Sequence, residues 1–410
     1  MPWIVKLILF VTFMLLSELY FFKRVFHSIR IIFPNSPILR FKTIRVILLS
    51  IINFVPVAYI FFWIMELLGG TEFDLPTKNT FYDILFYYPF WISIIVILQS
   101  VVLILPVDLI RLALLPIKKL DKAKLKNLNS KIVVGIVIVF VIYVPIRILI
   151  DMTQVSVRTT TYESSAINHD LENLRIGLIS DIQADWYNSD GRIQNYIDKL
   201  NEINPDIVFI PGDMITHDNE SILTAAKMVG KIKTKYGVYA CVGDHDNWAY
   251  GRDIHKSRNE VISTLAKYNA RMIDNENLVL QIENSKLGLT FITDTYSERI
   301  SHELLDDLTN SLGSADLKIL ITHQPNGRMK QIAVDKKYNL MLSGHTHGGQ
   351  ITLLFPFINL TPTLIETKYV KGDFWFNDLL MVVNGGLGVS LAPIRYNSTP
   401  EVTLIVLKSK

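Results

Sequence analysis

Four long apolar stretches precede residue 152: Trp3–Phe22, Val46–Leu68, Ile84–Pro106 and Ile132–Ile150. Each is near the ~20 residues that a helix needs to cross a hydrocarbon core. No compact soluble fold can bury four such runs in series, so the first third of the chain is expected to be a four-helix transmembrane region. The first run is read as an uncleaved helix, because no small-residue cleavage site follows it. Half of the chain is hydrophobic, and the net charge is only +3. So small a net charge gives no reason to expect nucleic acid as a partner.

Loop charges set an expected orientation. The segment between the first two runs carries Lys23, Arg24, Arg30, Arg40, Lys42 and Arg45 without an acid. The next loop, Thr71–Asp83, has Glu72, Asp74 and Asp83 against Lys78. The third has Arg111, Lys118, Lys119, Lys122, Lys124, Lys126 and Lys131 against Asp121. Both basic loops are then cytoplasmic, and everything after Ile150 is extracytoplasmic, at the inner or cell membrane of a bacterium. Glu18, inside the first run, is either a bundle contact or a snorkelling side chain.

Three regions are expected: 1–151 in the membrane, a Ser/Thr-rich linker over 152–170, and a catalytic domain over 171–410. In the last, strand candidates (Arg175–Ser180, Ile207–Ile210, Val238–Val242, Leu289–Thr293, Lys318–Thr322, Leu340–Ser343, Leu379–Asn384, Val402–Leu407) alternate with four amphipathic segments. This pattern predicts α/β layering, with the later, helix-poor strands forming a second sheet. The single cysteine, Cys241, excludes an internal disulfide.

Strand candidates end in acid or histidine. The run Ser343-Gly344-His345-Thr346-His347-Gly348-Gly349 places two imidazoles one residue apart between glycines. Ile179-Ser180-Asp181-Ile182-Gln183, Ile210-Pro211-Gly212-Asp213 and Val242-Gly243-Asp244-His245-Asp246 end three other strands, and His323 ends a fourth. Carboxylates and imidazoles gathered from strand ends suit a two-metal hydrolase.

These motifs resemble the calcineurin-like metallophosphoesterase superfamily, in its membrane-associated bacterial branch, over about Asn173 to Leu407. The resemblance implies a four-layer αββα sandwich and two divalent metals. Asp181, Gln183 and His347 should hold one metal, and Asp244, His323 and His345 the other, with Asp213 bridging. His245 should serve the leaving oxygen or the phosphoryl charge, with Asp246 orienting it. The metals should activate a bridging water for in-line attack. Arg395 is open to phosphate contact or to pairing with Glu401. His217 reads as a surface histidine and Asn326 as a helix start.

Two positions depart from the family pattern: Gln183 stands for histidine and Asp244 for asparagine. Three carboxylates, Asp181, Asp213 and Asp244, leave two divalent ions with a formal charge of +1 rather than +2. A lower positive charge favours a monoanionic diester over a dianionic monoester. Oxygen-rich ligation favours Mn²⁺, with Mg²⁺, Fe²⁺ or Zn²⁺ as alternatives. The expected function is a membrane-anchored phosphodiesterase or pyrophosphatase, its substrate lipid- or envelope-linked. The apolar, aromatic residues from Leu353 to Leu360, with Phe374, Trp375 and Phe376, read as ordinary strands and a packed hairpin, or else as a greasy entry to the site or a contact with the outer leaflet. The alternative function is a metal-binding or sensory envelope protein with a weakened site.

Overall fold

The computed structural model describes residues 3–35, 38–68, 78–355 and 358–410. It divides into two compact units, Met1–Leu149 with Leu353–Leu360, and Ile150–Thr352 with Thr361–Lys410.

The first unit is helical: α1 (Trp3–Ile32), α2 (Ile38–Leu67), the short α3 (Thr80–Tyr82), α4 (Tyr88–Leu114) and α5 (Lys122–Thr153). Among the described residues, three helices are long and apolar enough to cross a membrane: Phe41–Phe62, Thr80–Leu114 and Lys122–Thr153. The expected count of four is not reached. The run Trp3–Phe22 lies in α1, where several side chains of the first turns lie outside the described residues and Glu18, Lys23 and Arg24 follow close together. Glu72 and Asp74 of the acidic loop also lie outside the described residues. Polar side chains are paired inside the unit. Arg24 of α1 donates to Asp108 of α4 and, at 2.6 Å, to Asn129 of α5. Glu18 is a bundle contact, accepting from Asn53 of α2 at 2.7 Å. In an apolar surround such groups need internal partners.

A hairpin, Leu353–Phe355 against Ile358–Leu360, belongs to this helical unit. Buried Gln99 of α4 donates to the Leu354 carbonyl at 2.6 Å and accepts from its N–H at 2.8 Å. One side-chain amide thus satisfies a whole backbone residue, as a neighbouring strand would. Pro356 and Phe357 at the tip lie outside the described residues.

The second unit is a sandwich of two six-stranded sheets. The first sheet runs in the order β1 (Ser156–Glu163), β14 (Glu401–Lys408), β2 (Arg175–Leu178), β3 (Ile207–Pro211), β4 (Val238–Cys241), β5 (Ala270–Ile273). The second runs β12 (Gly372–Phe376), β13 (Leu379–Val383), β9 (Leu340–Ser343), β8 (Leu317–Thr322), β7 (Ser285–Ile292), β6 (Glu276–Ile282), with β10 and β11 being the hairpin strands. Period-two alternation assigns the faces. Ile207 and Phe209 of β3 meet Leu289, Phe291, Ile319 and Ile321 between the sheets. Val208 and Ile210 of the same strand face outward onto Ile193, Ile197 and Leu200 of α6 (Asp190–Glu202), beside α7 (Glu220–Val229) and α8 (Ile254–Ala266). On the far side, Leu320, Met341 and Met381 pack on α9 (His302–Ser311) and α10 (Gly327–Asp335). Both faces of the central strands are covered, so β3 and β9 are buried at every position, and the layers read αββα.

The stretch expected to be a linker, 152–170, is corrected by β1. It pairs in parallel with β14 over its whole length, from Ser156↔Glu401 to Glu163↔Lys408. Its sequence, Ser-Val-Arg-Thr-Thr-Thr-Tyr-Glu, gives only one buried side chain, Tyr162, so no hydrophobic period marks it. β5, β6, β12 and α10 also go beyond the sequence expectation, each being short or half-exposed.

A fragment starting at Asn168 leaves the β14 edge bare. It should melt lower, or aggregate, relative to one starting at Gln154. Thermal denaturation with light scattering compares the two, and equal melting would make β1 dispensable.

Candidate metal centre

Parallel strands end at one edge of each sheet, and the loops beyond β2, β3, β4, β8 and β9 bring the acids and histidines together. Asp181, Gln183, Asp213, His345 and His347 all have positive φ, between 49° and 71°. Non-glycine residues avoid this region, at a cost on the order of 1–2 kcal/mol each. Five such residues in one cluster mark a place where side-chain direction overrides backbone preference. The loops touch closely: a β-carbon on Gly243 would overlap the Asp213 carboxylate, and one on Gly344 would overlap Ser180. Only glycine admits these approaches.

Among the described residues, two groups have all their ligand atoms within 4.8 Å of each other: Asp244, His323 and His345 form one, and Asp181, Asp213 and His323 the other. His323 is common to both. Its Nδ1 donates to the Pro211 carbonyl at 2.7 Å, which turns Nε2 toward Asp213 and Asp244 at 3.3 and 3.4 Å. His345 directs Nδ1 to Asp244 at 3.0 Å, and its other nitrogen meets Glu366 at 2.9 Å. A carboxylate on the far nitrogen is the usual support of a ligating imidazole. His347 Nε2 lies 3.5 Å from Asp181. Gln183 donates through Nε2 to Asp213 at 2.8 Å. Its Oε1 is buried with no hydrogen-bond partner. A buried carbonyl oxygen left open beside Asp213 fits an oxygen-binding cation. The donor set thus accepts divalent metals at both groups.

Asp244 is provided for as an acid. The Gln324 amide donates to both its oxygens at 3.1 and 2.9 Å, and the Tyr296 N–H donates at 2.6 Å. Burial opposes its charge, yet hydrogen bonds from His323 and His345 hold its pKa well below the usual range. For His345 burial also opposes charging, but bonds to Asp244 and Glu366 raise its pKa to about 9. Burial lowers His347 to about 4. His347 is therefore neutral at pH 7, as a ligand must be.

Asp246 does not orient His245, contrary to expectation. Its carboxylate accepts from the backbone N–H groups of Asp213, Met214 and Gly243 at 3.0, 2.8 and 2.8 Å. Burial and the nearby Asp213 charge raise its pKa to about 6. His245 is instead fixed by the Thr216 carbonyl, which accepts from Nδ1 at 2.5 Å. Its Nε2 then faces the Ser390 hydroxyl at 3.2 Å. Arg395 does not pair with Glu401. It is fully buried and donates to the carbonyls of Gly385, Gly388, His347 and Ser398. Glu401 pairs with Lys371 and Arg158. His217 is exposed, and Asn326 caps α10 by accepting from Met329 N–H.

Sequence reading missed Thr216, Tyr296, Gln324, Glu366 and Ser390. Gln324 directly follows His323, the one available signal. The others lie in loops without periodicity.

Residues 174–349 match the family model described as calcineurin-like phosphoesterase. The chain is 29% identical over 252 residues to an uncharacterized metallophosphoesterase of Bacillus subtilis, YkuE, covering 61% of this chain and 84% of that protein. It is 28% identical over 246 residues to a zebrafish (Danio rerio) transmembrane protein with a metallophosphoesterase domain, covering 58% of this chain and 54% of that protein. It is 27% identical over 210 residues to the phosphodiesterase YaeI of Escherichia coli, covering 50% and 72% respectively.

Metal-stripped protein should be pH-sensitive. The pKa of His345 is raised to about 9 in the folded state. Its stabilising effect is therefore complete below the unfolded value near 6.5 and lost as pH rises through about 9, a change of up to roughly 3 kcal/mol. Urea denaturation of the stripped protein across this range should show the loss. Metal loading should abolish it and release protons at pH 7. A flat profile in the stripped protein would contradict the His345 assignment.

Proposed function

We propose that this chain, which carries a calcineurin-like phosphoesterase domain, is a membrane-anchored, two-metal hydrolase of phosphodiesters or pyrophosphates. The observation that carries the reading is the pair of ligand groups sharing His323, with the open oxygen of Gln183 beside them. Asp181, Gln183, Asp213 and His347 would hold one ion, and Asp244, His323 and His345 the other, with Asp213 reaching both. Bound divalent ions supply Lewis acidity, polarising phosphoryl oxygens and acidifying water.

The chain's own groups do the rest. The Thr216 carbonyl fixes the tautomer of His245, leaving Nε2 to meet a substrate oxygen. Asp246 keeps the loops of Asp213 and Gly243 in register. Gln324 and Tyr296 hold Asp244 as a carboxylate, which keeps the site one charge less positive than an asparagine would. That balance supports a monoanionic diester and, with Gln183, a preference for Mn²⁺. The name of the Escherichia coli relative, a phosphodiesterase, agrees with the diester reading. The substrate class proposed is a lipid- or envelope-linked phosphoester.

The basic loops at 23–45 and 111–131 support an extracytoplasmic catalytic unit. This orientation holds whether or not α1 spans, because α2, α4 and α5 alone carry the chain outward. A topology reporter fused after Lys410 should read extracytoplasmic, and a cytoplasmic signal would overturn the assignment.

Purified protein should hydrolyse bis-p-nitrophenyl phosphate faster than p-nitrophenyl phosphate, with Mn²⁺ above Zn²⁺. Asp213→Ala should lower kcat/KM by roughly 10³-fold or more. Highest activity with Zn²⁺ on the monoester would refute the charge argument. Metal binding without any turnover would favour the sensory reading.

A further inference from the structure

The imidazole of His245 is held at three points. Its Nδ1 donates to the Thr216 carbonyl. Its ring stands edge-on to Trp248, with 4.5 Å between centroids and 62° between planes. Its Nε2 lies 3.2 Å from the hydroxyl of Ser390, a residue 145 positions further along the chain. The first contact sets the tautomer. With the proton on Nδ1, Nε2 carries a lone pair, so Ser390 is the donor in the third contact.

Ser390 is itself clamped. The Gln350 amide accepts from the Ser390 N–H at 2.9 Å and donates to the Ser390 carbonyl at 2.9 Å. The same amide nitrogen reaches the carbonyls of Ala392 and Ile394 at 2.9 and 3.2 Å. Gln350 has a φ of 45°, so backbone strain is sustained where its side chain is needed. It lies three residues beyond His347, and so ties Ser390 to the loop of that histidine. The clamp acts on the backbone and leaves the hydroxyl unused. Among the described residues, His245 is the one hydrogen-bond partner of that hydroxyl. A hydroxyl suits the position, because it can donate to a bare Nε2 and accept from a protonated one. An amide nitrogen or a carboxylate could do only one of these.

We propose that Ser390 is a positioning residue for the leaving group, acting through His245. This rests on the phosphodiesterase reading above. As the P–O bond to the departing group breaks, the bonding pair stays on that oxygen, which takes a proton from Nε2 of His245. The attacking water gives up a proton to solvent, and solvent later reprotonates Nε2. Ser390 keeps the ring aimed until the leaving oxygen arrives, and donates to the bare Nε2 once the proton has gone.

The test uses the full chain in detergent micelles. In metal-free protein labelled with ¹⁵N-histidine, at mildly alkaline pH, Ser390→Ala should move the His245 Nε2 resonance downfield, as loss of a hydrogen bond to an acceptor nitrogen does. His245→Asn assigns that resonance, and an unmoved signal would overturn the contact. With Mn²⁺ bound, two diesters then separate the roles: methyl p-nitrophenyl phosphate and methyl phenyl phosphate. Nitrophenolate departs without a proton, whereas the more basic phenolate needs one. Ser390→Ala should lower kcat on the phenyl ester by about tenfold and leave the nitrophenyl ester within about twofold. His245→Asn should show the same bias, and adding Ser390→Ala to it should cause no further loss, because the two residues act as a unit. An equal effect of Ser390→Ala on both esters, including none, or a loss that adds to that of His245→Asn, would overturn the positioning role alone. Hydrolysis of neither ester by the metal-loaded wild type would overturn the phosphodiesterase reading and the role of Ser390 with it.

Discussion

One carboxylate holds the centre in shape. Asp246 is fully buried and takes three backbone N–H groups, from Asp213, Met214 and Gly243. These belong to the loops after two adjacent parallel strands. Without this acceptor, three buried donors would be orphaned, each at a cost of about 1–3 kcal/mol. With it, the two loops cannot move apart. Asp213 can then keep its left-handed backbone and point its carboxylate at His323 and at the Gln183 amide. Gly243 allows the contact because it has no side chain to block it. The arrangement of the other ligands depends on this strap, since His323 is reached from Asp213 and His345 from His323.

The two departures from the family pattern are met by local chemistry. Asp244 would be an uncompensated extra charge in an apolar setting. Here it receives Gln324, Tyr296 and two histidines, all able to donate. Gln183 replaces an imidazole with an amide whose nitrogen serves Asp213 and whose oxygen stays open. Gln183 offers an oxygen where the pattern has a nitrogen, and Asp244 adds a negative charge, while the polar atoms of both are satisfied or poised for a cation. Arg395 ties the carbonyl of His347 to those of Gly385, Gly388 and Ser398, and so fastens the His347 loop to the 385–398 segment.

The helical unit and the sandwich are not two uninterrupted blocks of sequence. The hairpin between His347 and Glu366 leaves the sandwich and joins the helices through Gln99.

Much of this was legible in the residues themselves. Long apolar runs and strand-terminal acids and histidines are local signals, carried by composition and by period, and they gave the helical first third, the two-sheet α/β unit and the acids and histidines that cluster at the strand ends. Boundaries and partners were not legible. β1 lacks a hydrophobic period because only one of its side chains is buried, so nothing in 156–163 distinguishes it from a linker until β14 lies beside it. Thr216 holds His245 where Asp246 was expected to, because a carboxylate next to a histidine in sequence need not face it in space. Glu366, Tyr296 and Ser390 reach the centre from loops, where no repeat fixes direction. By itself, the sequence determined which chemistry the chain carries, because side-chain type and local spacing are properties of the chain. Only the tertiary structure decided which atoms of those side chains meet, because hydrogen bonds between distant loops, and the backbone strain they sustain, exist only once the sheets have brought the loops together.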